Sequence, residues 1–395
     1  MAEPFRILTL NNIAQVGLKR FPAGKYDVGA QIRNPDAILV RSQDMHALEI
    51  EPKVKAIGRA GAGTNNIPVK RMSARGMPVF NAPGANANAV KELVIAGMLI
   101  AARNLVPATR FVFGLAGDDE VIHQRVEDGK KQFAGVELPR HTLGVIGLGK
   151  IGSLVADAAI KLGMNVLGYD PHITIDAAWS LPSQVKKANS IEEVLKASDF
   201  VTLHVPYIES TRNLISAERM KLMRNHAILL NFSRDGIVDN DAALEGLATK
   251  RLKYYVCDFP AQKLAGQPGV IALPHLGAST REAEDNCAIM VVDELRDYLE
   301  HGNIQNAVNF PDVAMSRESP YRVGIANANV PNMLGQISTA MAEADLNIHN
   351  MLNKSKGEMA YTLVDVDSTV PAKVIQRIAA IKGVLAVRYL PAEKI

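Results

Sequence analysis

The run Gly147-Leu148-Gly149-Lys150-Ile151-Gly152, followed by Asp170, has the residue types and spacing to do chemistry. A glycine turn presents backbone N–H groups rather than side chains, so the ligand it suits is an anion approached closely, a diphosphate above all. Gly147 permits the tight turn, Gly149 lets the backbone approach the diphosphate, and Gly152 lets the next helix pack close against the strand. Lys150 and Ile151 belong to the first turn of that helix, whose amides and dipole would hold the anion. Asp170 stands about eighteen residues beyond Gly152, where a carboxylate accepts hydrogen bonds from an adenosine ribose. Its charge repels a 2′-phosphate, so the cofactor expected is NAD rather than NADP. Further along come His204, Asn231 with Arg234, Asp258 and His275. Taken singly, each reads as a satisfied structural group. Gathered at one sheet edge, they hold the parts for oxidising a carboxylated alcohol: a guanidinium forks onto the carboxylate, and an imidazole takes the hydroxyl proton as C2 gives up hydride.

The elements that must carry these residues are legible around them. Thr142 to Ile146 is a short β-branched strand, and Ile151, Leu154, Val155, Ala158, Ala159 and Leu162 repeat on one helical face that Gly163 ends. Strands are expected at Phe200 to Val205, Ala227 to Asn231, Tyr254 to Asp258 and Val270 to Leu273. The polar residues then fall at strand carboxyl ends, where open α/β sheets bind ligands. Upstream, short strands at Arg6 to Leu10, Ala37 to Val40, Val54 to Ile57 and Val79 to Phe80 alternate with helical stretches, as in a second parallel sheet. An amphipathic helix from Thr280 to His301 would return to that sheet and make its domain discontinuous, leaving a cleft between two lobes. After a Pro- and Ser-bearing linker, residues 320–395 read strand, helix, strand, strand, helix, strand.

The fold class expected is therefore α/β: two Rossmann-like, doubly wound parallel-sheet lobes plus a C-terminal ferredoxin-like βαββαβ module. The expected domains are 1–104 with 281–312, then 105–280, then 320–395. Composition agrees, since 395 residues are too many for one typical core. A net charge of +3 gives no reason to invoke nucleic acid or an anionic membrane. The longest apolar run, Leu93 to Ala102, is too short to span a bilayer, and no export leader is evident, so a cytoplasmic location is expected. Cys257 and Cys287 read as buried thiols, and no clustered His/Cys pattern suggests a metal.

The segments GRAGAGTNNIPV at 58 to 69, GVIGLGKIG at 144 to 152, VTLHVP at 201 to 206, LLNFSRDGIVD at 229 to 239 and LPHLGAST at 273 to 280 resemble the D-2-hydroxyacid dehydrogenase family, in that family's order. The C-terminal module resembles an ACT domain. The resemblance implies NAD-dependent oxidation of 3-phospho-D-glycerate to 3-phosphohydroxypyruvate in a homodimer or homotetramer. It assigns the substrate carboxylate to Arg234, general acid/base work to His275, and the nicotinamide amide to Asp258, with His204, Pro206 and Ser233 also at the cofactor. Backbone amides of Gly61, Ala62 and Gly63 would meet the substrate, although a plain strand-to-helix turn fits those glycines equally well. Arg59 and Arg75 are candidates for its phosphate, Arg75 being as readily a surface arginine. An unphosphorylated 2-hydroxy acid such as glycerate, glyoxylate or hydroxypyruvate is the alternative substrate.

Two departures from the family pattern stand out. The family's third catalytic residue is a glutamate that orients the histidine; here Gln262 or Lys263 falls in its place. A neutral amide can orient an imidazole but does not stabilise the imidazolium, which keeps open a catalytically silent, NAD- and amino-acid-sensing role. In the C-terminal module, Asn327, Asn329 and Asn347 stand where the serine-regulated relatives present effector ligands, so L-serine is a candidate effector. Asn332 is expected to replace glycine in the turn, because asparagine tolerates a left-handed backbone. The competing reading of the module is a dimerisation unit with no ligand.

Overall fold

The structure, a computed structural model, describes residues 3–392. Two compact units result, one from residues 1–86 with 281–395 and the other from residues 87–280.

In the first unit, β1 (Phe5–Leu10), β2 (Tyr26–Gly29), β3 (Ala37–Val40), β4 (Ala56–Arg59) and β5 (Val79–Asn81) form a parallel sheet ordered β2-β1-β3-β4-β5. The helix Arg281–His301 returns to it and buries Val291, Val292, Leu295, Tyr298 and Leu299 in a core shared with Ile7, Leu39, Ala56 and Phe80. Such burial contributes roughly 1.5 to 3 kcal/mol per large side chain. Gly58 makes the approach possible, since a Cβ there would lie 2.7 Å from Leu295 and 2.8 Å from Val291. The strand β2 does not show in the pattern of short apolar runs, because Tyr26–Gly29 carries Asp27 and a glycine end.

The second unit holds β6 (Thr142–Ile146), β7 (Asn165–Tyr169), β8 (Lys186–Lys187), β9 (Phe200–Leu203), β10 (Ala227–Asn231), β11 (Leu252–Cys257) and β12 (Val270–Ala272). They lie parallel in the order β12-β11-β10-β9-β6-β7-β8, so the winding reverses beside β6. One boundary is corrected. The helix Ala87–Ala102, expected in the first lobe up to residue 104, belongs to this unit. Its Val90, Val94, Met98 and Ala101 share a core with Val145, Val155, Phe232 and Val256. Gly97 admits the Phe232 ring, which would stand 2.9 Å from a Cβ.

The C-terminal residues form β13 (Tyr321–Ala328), the helix Met333–Ala342, β14 (Ile348–Lys356), β15 (Met359–Val366), the helix Ala372–Ala379 and β16 (Val384–Pro391). The sheet is antiparallel, ordered β14-β15-β13-β16. Side-chain alternation divides its two faces. Val323, Ile325, Val364 and Val366 meet Ile337, Met341, Val374 and Ile378 of the helices. On the other face Ala326, Tyr361 and Leu363 join the core of the first sheet, beside Tyr298 and Phe310. Between them the fully buried Arg322 spends every N–H. It bonds Asp365 at 2.6 and 2.8 Å, and the carbonyls of His301, Met315 and Ser316 at 2.9 to 3.1 Å. The segment expected as a separate domain after residue 320 therefore shares its core with the first sheet. Asn332 takes φ +63°, the left-handed turn expected of it.

Candidate active site

In the second unit the glycine turn follows β6 directly. Gly147 has φ +92°, and a Cβ there would strike the His204 carbonyl oxygen at 2.5 Å. At Gly152 a Cβ would lie 1.9 Å from the Gly147 carbonyl oxygen, so no other residue fits the helix against its own turn. Gly149 differs, since nothing lies within 4 Å of a Cβ position there. That open face, at the N-cap of the helix Lys150–Lys161, leaves the first-turn amides without a side-chain cap. Lys150 is exposed, and Ile151 packs partly into the core.

Asp170 ends β7. Its Oδ2 accepts from the Leu148 amide and its Oδ1 from the His172 amide, each at 2.9 Å, and each oxygen keeps a second lone pair. The carboxylate lies at a cavity of about 450 Å³ whose walls include Leu148, Ile173, Ala178, Leu181 and Val185. An apolar slot with one carboxylate at its rim suits an adenosine, and an open glycine cradle suits its diphosphate. The residues present therefore fit NAD. Lys187 and Asn189 also line the cavity and escaped the sequence reading, because β8 is only two residues long.

His204 follows β9, with Nε2 3.0 Å from Thr202 Oγ1 and Nδ1 buried without a partner among the described residues. Burial pushes its pKa down to about 3, so this imidazole is neutral beside the glycine turn. Ser233 Oγ donates to the Val205 carbonyl, and Thr211 Oγ1 donates to that of Pro206 at 2.6 Å, fixing the loop after β9.

Arg234 sits on the turn after β10. Asn231, buried, clamps that turn from both sides: its Nδ2 donates to the Arg234 carbonyl at 3.0 Å and its Oδ1 accepts from Ser233 N at 3.2 Å. Arg234 Nη1 donates to the Ser233 carbonyl at 2.6 Å. Asp258, 1% exposed, turns both carboxylate oxygens onto the loop that carries the histidine, accepting from Leu276 N and Gly277 N at 2.7 Å each. His275 is exposed at φ +57°, its amide donating to the Asp258 carbonyl at 3.1 Å and its ring edge-on to Phe259 at 5.1 Å. Asp258 thus emerges as the anchor of the His275 loop. Gln262 is exposed, and Lys263 pairs with Asp241 at 2.8 Å. Among the described residues no carboxylate pairs with His275. Cys257 and Cys287 are free and buried.

The first unit contributes the loop after β4. Arg59 lays its guanidinium across Gly61, where a Cβ would fall 2.0 Å from Nη1, and its Nε donates to the Arg41 carbonyl at 3.1 Å. The loop is pinned by Asn81 Nδ2 to the Ala62 carbonyl at 2.5 Å and by Ala82 N to the Gly61 carbonyl at 3.0 Å, with Gly63 next in line. Asn81 was missed by sequence, although it closes β5 at the same sheet edge. Arg75 is a correction. Its guanidinium caps the carbonyls of Ile50 and Glu51 at 2.9 and 2.8 Å, and it precedes β5, at the sheet edge opposite the Arg59 loop. It holds two loops together and does not face that loop.

At the C-terminal module, Asn327 is buried, donating to the Ala328 carbonyl at 2.7 Å, and its Oδ1 has no partner among the described residues. Asn329 Nδ2 donates to the Gly357 carbonyl at 3.0 Å, and the backbone amide of exposed Asn347 donates to Asp367 Oδ1 at 3.3 Å. Of the three, Asn327 alone has a side-chain acceptor that is buried without a partner among the described residues. No metal-binding cluster occurs among the described residues, and no described helix is long and apolar enough to cross a membrane.

Residues 95–277 match the family model described as "D-isomer specific 2-hydroxyacid dehydrogenase, NAD binding domain". The chain is 33% identical over 380 residues to a D-3-phosphoglycerate dehydrogenase of Methanocaldococcus jannaschii, covering 93% of this chain and 68% of that protein. It is 32% identical over 355 residues to the D-3-phosphoglycerate dehydrogenase of Haemophilus influenzae, covering 87% and 83%. Among solved structures, the NAD⁺-bound 3-phosphoglycerate dehydrogenase of Entamoeba histolytica superposes with a TM-score of 0.60 at 23% identity, covering 77% of this chain and 98% of that one.

Proposed function

The chain belongs to the D-isomer specific 2-hydroxyacid dehydrogenases, and on that premise we propose that it oxidises 3-phospho-D-glycerate to 3-phosphohydroxypyruvate with NAD, the entry step of phosphorylated L-serine synthesis. The observation that carries this reading is the match to proteins of that named activity across most of this chain and theirs. NAD, when bound, supplies the hydride acceptor. Arg234 forks onto the substrate carboxylate from its clamped turn, and by the family resemblance the amides of Gly61 to Gly63 also bind substrate. His275 takes the C2 hydroxyl proton at its ring nitrogen and returns it in reduction. Arg59, held over Gly61, is our candidate for binding the phosphate that distinguishes this substrate from glycerate.

The test is NADH oxidation with phosphohydroxypyruvate beside hydroxypyruvate and glyoxylate. A preference for the phosphorylated acid of about tenfold or more in kcat/KM supports the reading, a gap of about 1.4 kcal/mol. Equal use would move the assignment to an unphosphorylated 2-hydroxy acid. The lack of a carboxylate on His275 among the described residues, together with exposed Gln262, favours a second reading, an NAD-binding paralogue without turnover. Tight NADH binding with no turnover on any of these acids would establish that one.

The C-terminal strand and helix order supports an ACT-like regulatory module, with L-serine as effector near Asn327, Asn329 and Asn347. A homodimer or homotetramer is supported by the helix Leu105–Phe113, which buries no residue and leaves Val112 and Phe113 exposed. Serine at millimolar concentration that neither inhibits nor raises the melting temperature would leave the module an assembly element.

A further inference from the structure

A relay of polar groups joins the middle of the helix Arg281–His301 to the loop at Gly61 and Ala62. Glu294 is buried on that helix, and its Oε1 accepts from Asn306 Nδ2 at 2.7 Å. Asn306 adopts φ +58° in the segment after the helix and is fixed there by its amide, which donates to Asp312 Oδ1 at 2.8 Å. Its carbonyl accepts from Asn81 N at 3.4 Å, the longest link. Asn81 in turn holds the Ala62 carbonyl through Nδ2 at 2.5 Å, and the next amide, Ala82 N, holds that of Gly61 at 3.0 Å.

We propose that Glu294 is a positioning residue: its uncharged carboxyl, acting through Asn306 and Asn81, holds the Gly61–Ala62 loop in the arrangement that receives substrate, and ionisation of that carboxyl loosens it. The inference rests on the reading of this loop as substrate-binding. Its support is a mismatch between the group and its surroundings. Glu294 Oε2 is buried with no partner among the described residues, and Asn306 is the one donor to the other oxygen. The charged groups bearing on it are Asp312 from the packed loop and Asp293 from its own helix, both acidic. Burial first, and then these two carboxylates, push its pKa up to about 8, against the Asn306 hydrogen bond that lowers it.

The sign follows from proton linkage. The anchored loop keeps the proton at a pH where a released, solvated Glu294 would lose it. The anchored form is therefore at full strength below the ordinary carboxylate range. It weakens as pH rises towards about 8, and no further above that.

The experiment compares wild type with Glu294→Gln, which keeps the shape and cannot ionise, from about pH 6 to about pH 9. Two readouts are taken: KM for the keto acid, and hydrogen exchange of residues 60–64 and 303–312, corrected for the intrinsic pH dependence of exchange. The expected result is a wild-type KM that rises about threefold or more relative to the variant over that window and then levels. The kcat values should move together in both proteins, and protection of both segments should fall in wild type alone. Asn306→Ala, which cuts the relay, should lose protection at 60–64 at every pH. Superimposable profiles and exchange in wild type and Glu294→Gln would overturn the inference. If no keto acid is turned over, the functional reading fails by itself, and hydrogen exchange still decides whether the relay exists.

Discussion

Asp258→Asn separates two jobs that one carboxylate could do. In the structure both oxygens are spent on the His275 loop, at 2.7 Å from Leu276 N and 2.7 Å from Gly277 N, in a side chain 1% exposed. Asparagine can accept only one of these bonds, and its NH₂ would face the other N–H. The charge assistance lost is about 1.5 to 3 kcal/mol, and the unpaired buried N–H adds about 1 to 3 kcal/mol. A loss of about 3 to 5 kcal/mol falls on a loop whose Pro274, His275 and Leu276 are already exposed, so it can release into water without unfolding the sheet. The left-handed backbone of His275, φ +57°, adds its own push towards release. The anchored state then declines by about a hundredfold or more, and kcat/KM with the keto acid should fall by a similar factor. The melting temperature should move little. Affinity for NADH, measured by fluorescence titration, should be unchanged. A nicotinamide contact predicts the reverse pattern, with NADH affinity weakened and the loop in place. A variant within about threefold of wild type in kcat/KM would refute the anchor argument.

Other expectations are narrower. Asp170→Ala should shrink the preference for NADH over NADPH, expected at about tenfold, while equal use of the two cofactors by the unaltered protein would remove the ribose contact from Asp170. Arg59→Ala should raise KM for phosphohydroxypyruvate far more than for hydroxypyruvate, by about 1.5 to 3 kcal/mol, and equal effects would assign Arg59 to the carboxylate or to folding. Asp365→Ala leaves the Arg322 guanidinium buried and unpaired, so urea denaturation should show a loss of about 3 to 5 kcal/mol; a loss below about 1 kcal/mol would mean that the three carbonyls alone satisfy it.

Sequence revealed most where the requirement is local. Gly147 and Gly152 are demanded by their own turn, and Asn332 by its own φ, so each is visible within a few residues. Tertiary partners are harder to foresee. Arg59 and Arg75 flank the same motif as bare cations, and only the fold sends one over Gly61 and the other onto two carbonyls. The unbroken apolar run from Leu93 to Ala102 announces a buried helix but not which sheet buries it, and the answer lay with Phe232 and Val256. Glu294 is an acid on an amphipathic helix, and such residues ordinarily face water. That it points into the structure depends on residue 306, left-handed and twelve residues on, which no helical pattern encodes.

The shared core of the two sheets in the first unit also bears on the order in which the chain can acquire structure. Residues 87–280 close a unit of their own while the remainder is still being synthesised. The N-terminal sheet, made earliest, stays incomplete until much later. Tyr298 receives the guanidinium of Arg388 at 4.4 Å over its ring, and its neighbour Tyr361 seals the helix end by donating to the Gly302 carbonyl at 2.8 Å. Until residues 321–391 have emerged, Tyr298 of the helix Arg281–His301 and Phe310 beyond it form an uncovered aromatic face, a temporary site for a chaperone or for aggregation. Cutting the chain near residue 318 would make that exposure permanent, so the first casualty of such a truncation should be solubility rather than assembly.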